Sequence, residues 1–447
     1  MYGCANSWIS NAIVFLTKPG HVPSATIEQC GLMAQFFEAG RLMFAIPGGL
    51  LVDKFGRKKI LISIGSLNFV AWTTLCFTDS LLLIYVARLC LGIAVALLYV
   101  SAYPMIGEIA SPEYRGTLTS INEMANMFGQ LFESIVMVIA KTYFALTAFT
   151  TLVAAVFFST IWWLIESPHY LANVSNLEGA KKNLKIIRPD YTDNEVNREF
   201  EVMVESMARE RRNKVRVNWL NFYKLKAFRE PLQCALLLNV VAVTCGGPVM
   251  TLYVAVMLPQ NLYFANEYYA LISFSIQFIA AIGSTFVMDR FGRRRLFLAA
   301  ALISLAMQSL NAFAYALYDS GGGDFWKWVF ILNNFLYMFV DRGLISPCNC
   351  TVRSEIFPYT LKGIGNALCV ICQAISLIVN YQIYDFINPK YGLPINFAIF
   401  AFDSALLAAV IYFLLPEMGG RSLAEVQNEI GDEFQEYEAL ISKNVKL

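Results

Sequence analysis

The sequence predicts an all-α membrane protein in which twelve transmembrane helices form two pseudo-symmetric halves of six helices each. Composition is the first observation behind this prediction, because 57% of the residues are hydrophobic, 15% are charged and the mean hydropathy is +0.52. Soluble domains contain far less apolar sequence. The second observation is a series of apolar runs near the roughly 20 residues that a spanning helix needs. The third is a charged turn that occurs twice, at 53–58 and at 289–294, about half the chain apart.

The apolar runs are the predicted membrane spans. The first, at residues 1–17, is slightly short and lacks the features of a signal peptide, so we interpret it as a first helix that begins late or is truncated. A long polar stretch then divides the remaining runs into two sets. The other predicted spans are 30–52, 60–78, 81–106, 117–140 and 144–165 before that stretch, and 232–258, 267–288, 296–318, 326–352, 363–387 and 394–415 after it.

The distribution of Lys and Arg predicts the orientation. These residues gather in the two repeated turns and in the middle stretch, whereas the loops at 79–80 and 259–266 carry almost none. Because cytoplasmic loops hold an excess of basic residues, both termini and the middle stretch are predicted to be cytoplasmic. The predicted location of this multi-pass protein is the plasma membrane. The predicted domains are a first half at 1–165, a cytoplasmic linker with short helices at 166–230, a second half at 231–415 and a cytoplasmic tail helix at 416–447.

One helix of the linker has a clear start signal. Thr192 and Glu195 have the spacing of a capping box, and Val196, Phe200 and Met203 follow at helical intervals. The pattern predicts an amphipathic helix. Its role stays open between a simple connection and a part in gating.

Several classes of function are excluded by what the sequence lacks. Most of the ten cysteines lie in apolar runs, where Cys behaves as a small buried hydrophobe. Cys369 and Cys372 have metal-ligand spacing, but a zinc site needs four clustered ligands and the chain has only two His. A net charge of +1 and the lack of a separate basic tract indicate no nucleic-acid partner. Without a glycine-rich phosphate loop or a metal cluster, neither an enzyme nor a cofactor is predicted.

Further matched segments strengthen the duplication. Glu108 is followed seven residues later by Arg115, and Glu355 is followed seven residues later by Lys362. Together with the repeated turn, these segments resemble the sugar porter family of the major facilitator superfamily, in particular insect facilitated trehalose and hexose transporters. The resemblance covers essentially the whole chain. The segments that carry it are Gly49, Asp53–Lys58, Arg88, Glu108–Gly116, Glu166–Leu171, Asp289–Arg294, Glu355–Gly363 and Pro416–Ser422.

The resemblance implies transport of a hexose or trehalose by alternating access, with two six-helix halves that rock about a central site. Sugar/proton symporters of the family place an Asp in the first span, but Cys4–Ser10 contains no acidic residue. This difference favours a facilitative uniporter. The implied partners are a small-molecule solute, expected to be a sugar, and the lipid bilayer. No obligate protein partner is indicated.

The charges at the predicted cytoplasmic ends resemble the family's salt-bridge network. We hypothesise that their pairs stabilise the outward-facing state and break as the inner gate opens. The alternative is that they only fix the topology as positive-inside anchors. The gate candidates are Asp53, Arg57, Glu108, Arg115, Asp289, Arg293, Glu355 and Lys362.

A sugar site in a membrane needs several polar side chains, because hydroxyls that leave water must find new hydrogen bonds. In the family these side chains come from spans five, seven, eight, ten and eleven. The residues that correspond here, or that lie close to those positions, are Glu123, Gln130, Tyr253, Gln277, Arg342, Asn349 and Gln373.

Other positions of the family's site have changed. Ala242 and Val243 stand where the family has paired Gln residues, and Cys350 stands where it has a Trp that stacks on the sugar. The chain is therefore either a sugar transporter with an altered set of ligands, a transporter of another polar or charged organic solute, or a solute sensor that does not transport.

Two further intramembrane charges, Glu38 and Arg41, lie three residues apart and are predicted to pair with each other.

Overall fold

The computed structural model describes residues 1–18, 23–109, 115–189, 191–213, 226–257, 265–287, 293–356 and 362–415. Every regular element within these ranges is a helix. The α-helices are α1 (Tyr2–Leu16), α2 (Ile27–Phe55), α3 (Arg57–Phe77), α4 (Leu81–Ile109), α5 (Arg115–Ala140), α6 (Tyr143–Thr160), α7 (Pro168–Asn173), α8 (Leu177–Ile187), α9 (Asp193–Asn213), α10 (Lys226–Thr244), α11 (Gly247–Leu252), α12 (Asn266–Val287), α13 (Arg293–Asp319), α14 (Asp324–Val340), α15 (Ser346–Glu355), α16 (Lys362–Tyr391) and α17 (Leu393–Leu414).

Apart from α7, α8 and α9, which lie between the two sets of passes, the described helices form twelve membrane passes, which confirms the predicted fold class. Within the described ranges, eight helical segments are long and apolar enough to cross a membrane by length and composition. The seventh pass consists of α10 and α11, and the tenth consists of α14 and α15 joined by a π-helical turn at Asp341–Ile345. The other four passes are α1, α2, α5 and α12.

The described residues cluster into two compact units. The first comprises 1–2, 36–126 and 144–213, and the second comprises 3–35, 127–143 and the described residues from 226 onward. Helices α2 and α5 each have residues in both units. The predicted domain boundaries stay a prediction.

Within the first unit, α2 and α4 approach each other so closely that two glycines are required. A Cβ atom on Gly40 would lie 2.2 Å from the carbonyl oxygen of Leu89. A Cβ atom on Gly92 would lie 2.0 Å from the carbonyl oxygen of Phe37. Small residues at such crossings let membrane helices pack backbone to backbone.

We therefore expect Gly92→Ala to separate α2 from α4. Overpacking a buried site costs about 1–3 kcal/mol, and here the obstacle is backbone rather than a flexible side chain. The midpoint of thermal unfolding in detergent should fall. Gly49→Ala in α2 is the matched control, because a Cβ atom there would meet nothing within 4 Å. Equal midpoints for the two variants would contradict the close crossing.

The same part of α2 buries two opposite charges. An Nη1 atom of Arg41 donates to the Glu38 carboxylate at 2.7 Å, and both side chains are almost completely buried. The predicted pairing is confirmed. A second cation, Arg88 on α4, is also buried, and its guanidinium lies 4.5 Å from the centroid of the Phe37 ring.

The first repeated turn is held by the segment that follows α6. Glu166 Oε1 accepts hydrogen bonds from the backbone N–H groups of Arg57 at 3.0 Å and Lys58 at 3.1 Å, so one carboxylate caps the start of α3. The Tyr170 hydroxyl donates to the carbonyl of Lys54 at 3.1 Å. These contacts fix the turn to α7.

Helices α7, α8 and α9 form a small apolar cluster of their own. The capping box forms as predicted, since the Thr192 N–H donates to Glu195 at 2.8 Å and the Glu195 N–H donates back at 3.4 Å. The bond from the Thr192 backbone lowers the pKa of the Glu195 carboxyl. Val196 and Met203 lie on the buried face of α9.

Candidate solute-binding site

The seventh pass is broken in its middle. Gly246 has a φ of +102°, in the left-handed region, and separates α10 from α11. A Cβ atom there would lie 2.6 Å from the Phe400 ring, so both the backbone angle and the space require glycine. The sequence predicted one continuous span at 232–258, whereas the described structure divides it at this residue. Broken helices in transporters expose backbone groups where solutes bind.

Side chains from three other helices satisfy the carbonyls that the break releases. The Tyr337 hydroxyl and Gln308 Nε2 both donate to the Cys245 carbonyl, at 2.8 and 2.9 Å. Asn380 Nδ2 donates to the Val243 carbonyl at 3.2 Å. Since an unpaired carbonyl is costly in a membrane, these bonds explain why the break is tolerated.

The candidates Gln277 and Arg342 come together beside α11. Arg342 Nε donates to Gln277 Oε1 at 3.1 Å, and Arg342 Nη2 donates to Thr251 Oγ1 at 3.4 Å. The Asp341 carboxylate lies 3.5 Å from Arg342 Nε. The Arg342 side chain is 15% exposed, and its guanidinium contacts Gln277, Thr251 and Asp341. It lies on the π-helical turn of the tenth pass, an irregularity that is frequent at functional sites.

Asn349 belongs to a neighbouring chain of amides. Its Nδ2 atom donates to Asn239 Oδ1 at 3.1 Å, and Asn239 Nδ2 donates to the carbonyl of Cys369 at 2.6 Å. The chain connects α15 to α10 and α16. Asn349 is buried, and its hydrogen bond therefore stabilises the packing of these passes.

Tyr253 lies at the end of α11 and is fully buried. Its hydroxyl donates to Asp385 Oδ1 on α16 at 2.7 Å, and its ring stacks on that of Tyr384 with the centroids 4.5 Å apart. Gly31 of α2 makes room for the pair, because a Cβ atom there would lie 2.2 Å from Asp385 Oδ2.

Gln130 is the candidate with the clearest unused hydrogen-bonding capacity. It is 1% exposed, and within the described residues its Oε1 atom has no hydrogen-bond partner. Its Nε2 atom donates to the sulfur of Met127 at 3.7 Å. In the same unit the α5 ring of Phe128 lies 6.1 Å from that of Phe278 on α12, the helix that carries Gln277. A buried amide oxygen of this kind can accept a hydrogen bond from a solute hydroxyl.

The remaining solute candidates are less informative. Gln373 is half-buried on α16. Glu123 lies on α5, but its side chain is outside the described set. The described part of the chain holds no cluster of His, Cys, Asp or Glu that could bind a metal ion.

The gate candidates are mostly outside the described structure. Asp289 is not described, and the side chains of six others are not described either: Asp53, Glu108, Arg115, Arg293, Glu355 and Lys362. Arg57 is described, and its guanidinium lies 5.6 Å from the centroid of the Tyr170 ring. The gate therefore stays a prediction.

Several residues of the region were not predicted from the sequence. Asp385 is an acid inside the apolar run at 363–387, and that alone was a signal that could have identified it. Thr251 and Asn239 carry no comparable signal, because small polar residues are common in membrane helices.

One family model matches nearly the whole chain, and known transporters are similar to it in sequence or in fold. Residues 6–430 match the family model described as "Sugar (and other) transporter". The glucose transporter GlcP of Staphylococcus epidermidis is 23% identical over 446 residues, which covers 96% of this chain and 94% of GlcP. The inward-open xylose transporter XylE from E. coli has a TM-score of 0.77 at 19% identity, with 96% of both chains covered. The proton:xylose symporter XylE bound to 6-bromo-6-deoxy-D-glucose has a TM-score of 0.73 at 19% identity, covering 96% of this chain and 95% of XylE.

Proposed function

Because the chain belongs to the sugar transporter family and has the major facilitator fold, we propose that it carries a hexose or trehalose across a membrane by alternating access, as a facilitative uniporter. The plasma membrane is the proposed location, with both termini in the cytoplasm. This orientation follows from the basic residues of the repeated turns.

The observation that carries the proposal is the group of polar side chains beside the broken seventh pass. Gln277, Arg342 and Thr251 bring hydrogen-bonding groups from three passes to one place. Gln130 adds a buried acceptor that has no donor among the described residues. A sugar presents many hydroxyls, each a donor and an acceptor, so a mixed set of amides and donors suits it better than an apolar pocket.

Facilitative transport is supported by the composition of α1. The buried face of this helix includes Ser7, Ser10 and Asn11 but no carboxylate. A uniporter dissipates a solute gradient and needs no ion-binding acid in this pass.

A proton gradient imposed across vesicles should therefore not drive solute accumulation above equilibrium.

Uptake of labelled glucose and of labelled trehalose into vesicles that contain the protein tests the proposal. We expect saturable uptake of at least one sugar. Gln130→Ala should lower kcat/KM about tenfold, since one hydrogen bond in a buried site contributes about 1 kcal/mol or slightly more. Gln382→Ala on the exposed face of α16 is the matched control and should leave uptake unchanged. Lack of saturable uptake of both sugars would rule out the proposed substrates.

A second candidate function is supported by the changed positions. Ala242, Val243 and Cys350 replace side chains that the family uses to hold a sugar. A transporter of another polar or charged organic solute, or a sensor that binds without transport, would fit these losses. Saturable uptake of a non-sugar solute from a panel would favour the first, and binding without uptake would favour the second.

A further inference from the structure

Asp385 occupies an unusual position for an acidic side chain. It lies on α16, inside a pass, and its one hydrogen bond within the described structure comes from the Tyr253 hydroxyl at 2.7 Å. Tyr253 is fully buried and stacks on Tyr384. The missing Cβ of Gly31 lets α2 close against this pair. Helices α2, α11 and α16 therefore meet at one carboxylate.

No cation compensates this carboxylate among the described residues. The titratable groups that interact with it are Glu28 and Cys30 from α2, Tyr253 from the end of α11 and Tyr384 from its own helix, and Tyr381 on that helix interacts with Tyr253. None of these is basic, and Glu28 adds a second negative charge. An acidic side chain inside a membrane pass without a counter-ion is costly when ionised, and such residues commonly bind protons.

The partner of Asp385 is attached to the candidate solute site. Tyr253 ends α11, a helix of six residues that the left-handed Gly246 joins to α10. The same short helix carries Thr251, which accepts the hydrogen bond from Arg342. Because Asp385 holds Tyr253 in place, it also holds Thr251 beside the Arg342 guanidinium.

We propose that Asp385 is a positioning residue that binds a proton: ionised, it holds Tyr253 and with it α11, and protonation releases α11 and speeds solute exchange. A hydrogen bond to a carboxylate is roughly twice as strong as one between neutral groups. Protonation thus weakens the bond without removing it. Proton symporters of the family carry an Asp in the first pass that couples proton transport to sugar transport. Asp385 would act differently, because it changes the mobility of α11 and requires no net transport of protons.

The position of Asp385 also predicts on which side of the membrane the pH affects solute exchange. It lies six residues before the end of α16 at Tyr391, or about 9 Å at the rise of an α-helix. The carboxyl is therefore near one membrane surface. Exchange should respond to the pH on that side alone.

The proposal rests on the proposed transport function, so its test uses two independent measurements. In proteoliposomes, glucose exchange at neutral pH first establishes transport. Lowering the pH on the side nearest Tyr391 should raise exchange about tenfold, whereas lowering it on the other side should not. Asp385→Asn, which has the shape of the acid but no charge, should exchange fast at every pH. Asp403→Asn, which removes another intramembrane carboxyl, is the control and should keep the pH response.

Infrared difference spectra between neutral and acidic pH give the second measurement, which needs no solute. The wild-type protein should show a band of a newly protonated carboxyl that is absent in Asp385→Asn. Exchange that is independent of pH, a pH response that persists in Asp385→Asn, or the lack of this band would each overturn the proposal. Failure of all exchange with the band present would instead contradict the proposed substrates.

Discussion

Replacing Glu38 with Gln is expected to destabilise the protein more than Gly92→Ala or Arg41→Gln. Glu38 is 3% exposed and holds Arg41 at 2.7 Å, with the buried Arg88 close by. Without the carboxylate, the Arg41 guanidinium on α2 would lose its ion pair, and the Arg88 guanidinium on α4 would lose its charge interaction with Glu38. Breaking a buried ion pair from one side costs about 3–5 kcal/mol, and the loss of interactions with two cations places this case at the upper end. Thermal unfolding in detergent, followed by size-exclusion chromatography, measures the loss.

Replacing the other partner of the ion pair, Arg41, should lower the stability by less. Arg41→Gln leaves Glu38 next to Arg88, which can still compensate its charge. The double variant Glu38→Gln with Arg41→Gln removes both charges and should recover part of the stability that Glu38→Gln loses. Equal unfolding temperatures for Glu38→Gln and Arg41→Gln would contradict the interaction of Glu38 with both Arg41 and Arg88.

Replacing Arg342 with Gln is expected to have the largest effect on transport. The guanidinium binds Gln277 and Thr251 and lies beside the buried Asp341. Loss of a hydrogen bond to a charged group is worth about 1.5–3 kcal/mol, so kcat/KM should fall by roughly 10- to 100-fold. Uptake normalised to the amount of folded protein in the membrane measures this effect.

Two variants separate a solute contact from a structural ion pair. Arg342→Lys keeps a positive charge for Asp341 but loses the planar fork, and it should restore folding without restoring transport. Asp341→Asn combined with Arg342→Gln removes both charges and should fold, again with low uptake. Normal transport in the double variant would show that the guanidinium only neutralises Asp341.

The passes could be predicted from the sequence because their signal is strong and local. An apolar run near 20 residues has few alternative structures in a bilayer, and the capping box at Thr192 contains its own start signal. The pairing of Glu38 with Arg41 was predictable for the same reason, since both lie on one helix.

The details of the site depend on contacts between distant segments. The break at Gly246 is stabilised by Gln308, Tyr337 and Asn380, which lie on three other helices. The adjacent residues Gly246, Gly247 and Pro248 are a local signal for a break, but the side chains that satisfy the released carbonyls lie far away in the sequence. The pairing of Tyr253 with Asp385 joins residues 132 positions apart and was missed for the same reason.

Counterflow in proteoliposomes that contain only this protein tests the central claim most directly. Vesicles are loaded with unlabelled glucose or trehalose and diluted into a trace of the labelled sugar. A carrier with alternating access predicts a transient accumulation of label inside, well above its outside concentration, followed by decay as the unlabelled sugar leaves. Label that binds to the protein but shows no such transient would contradict transport and identify a sensor on the transporter fold.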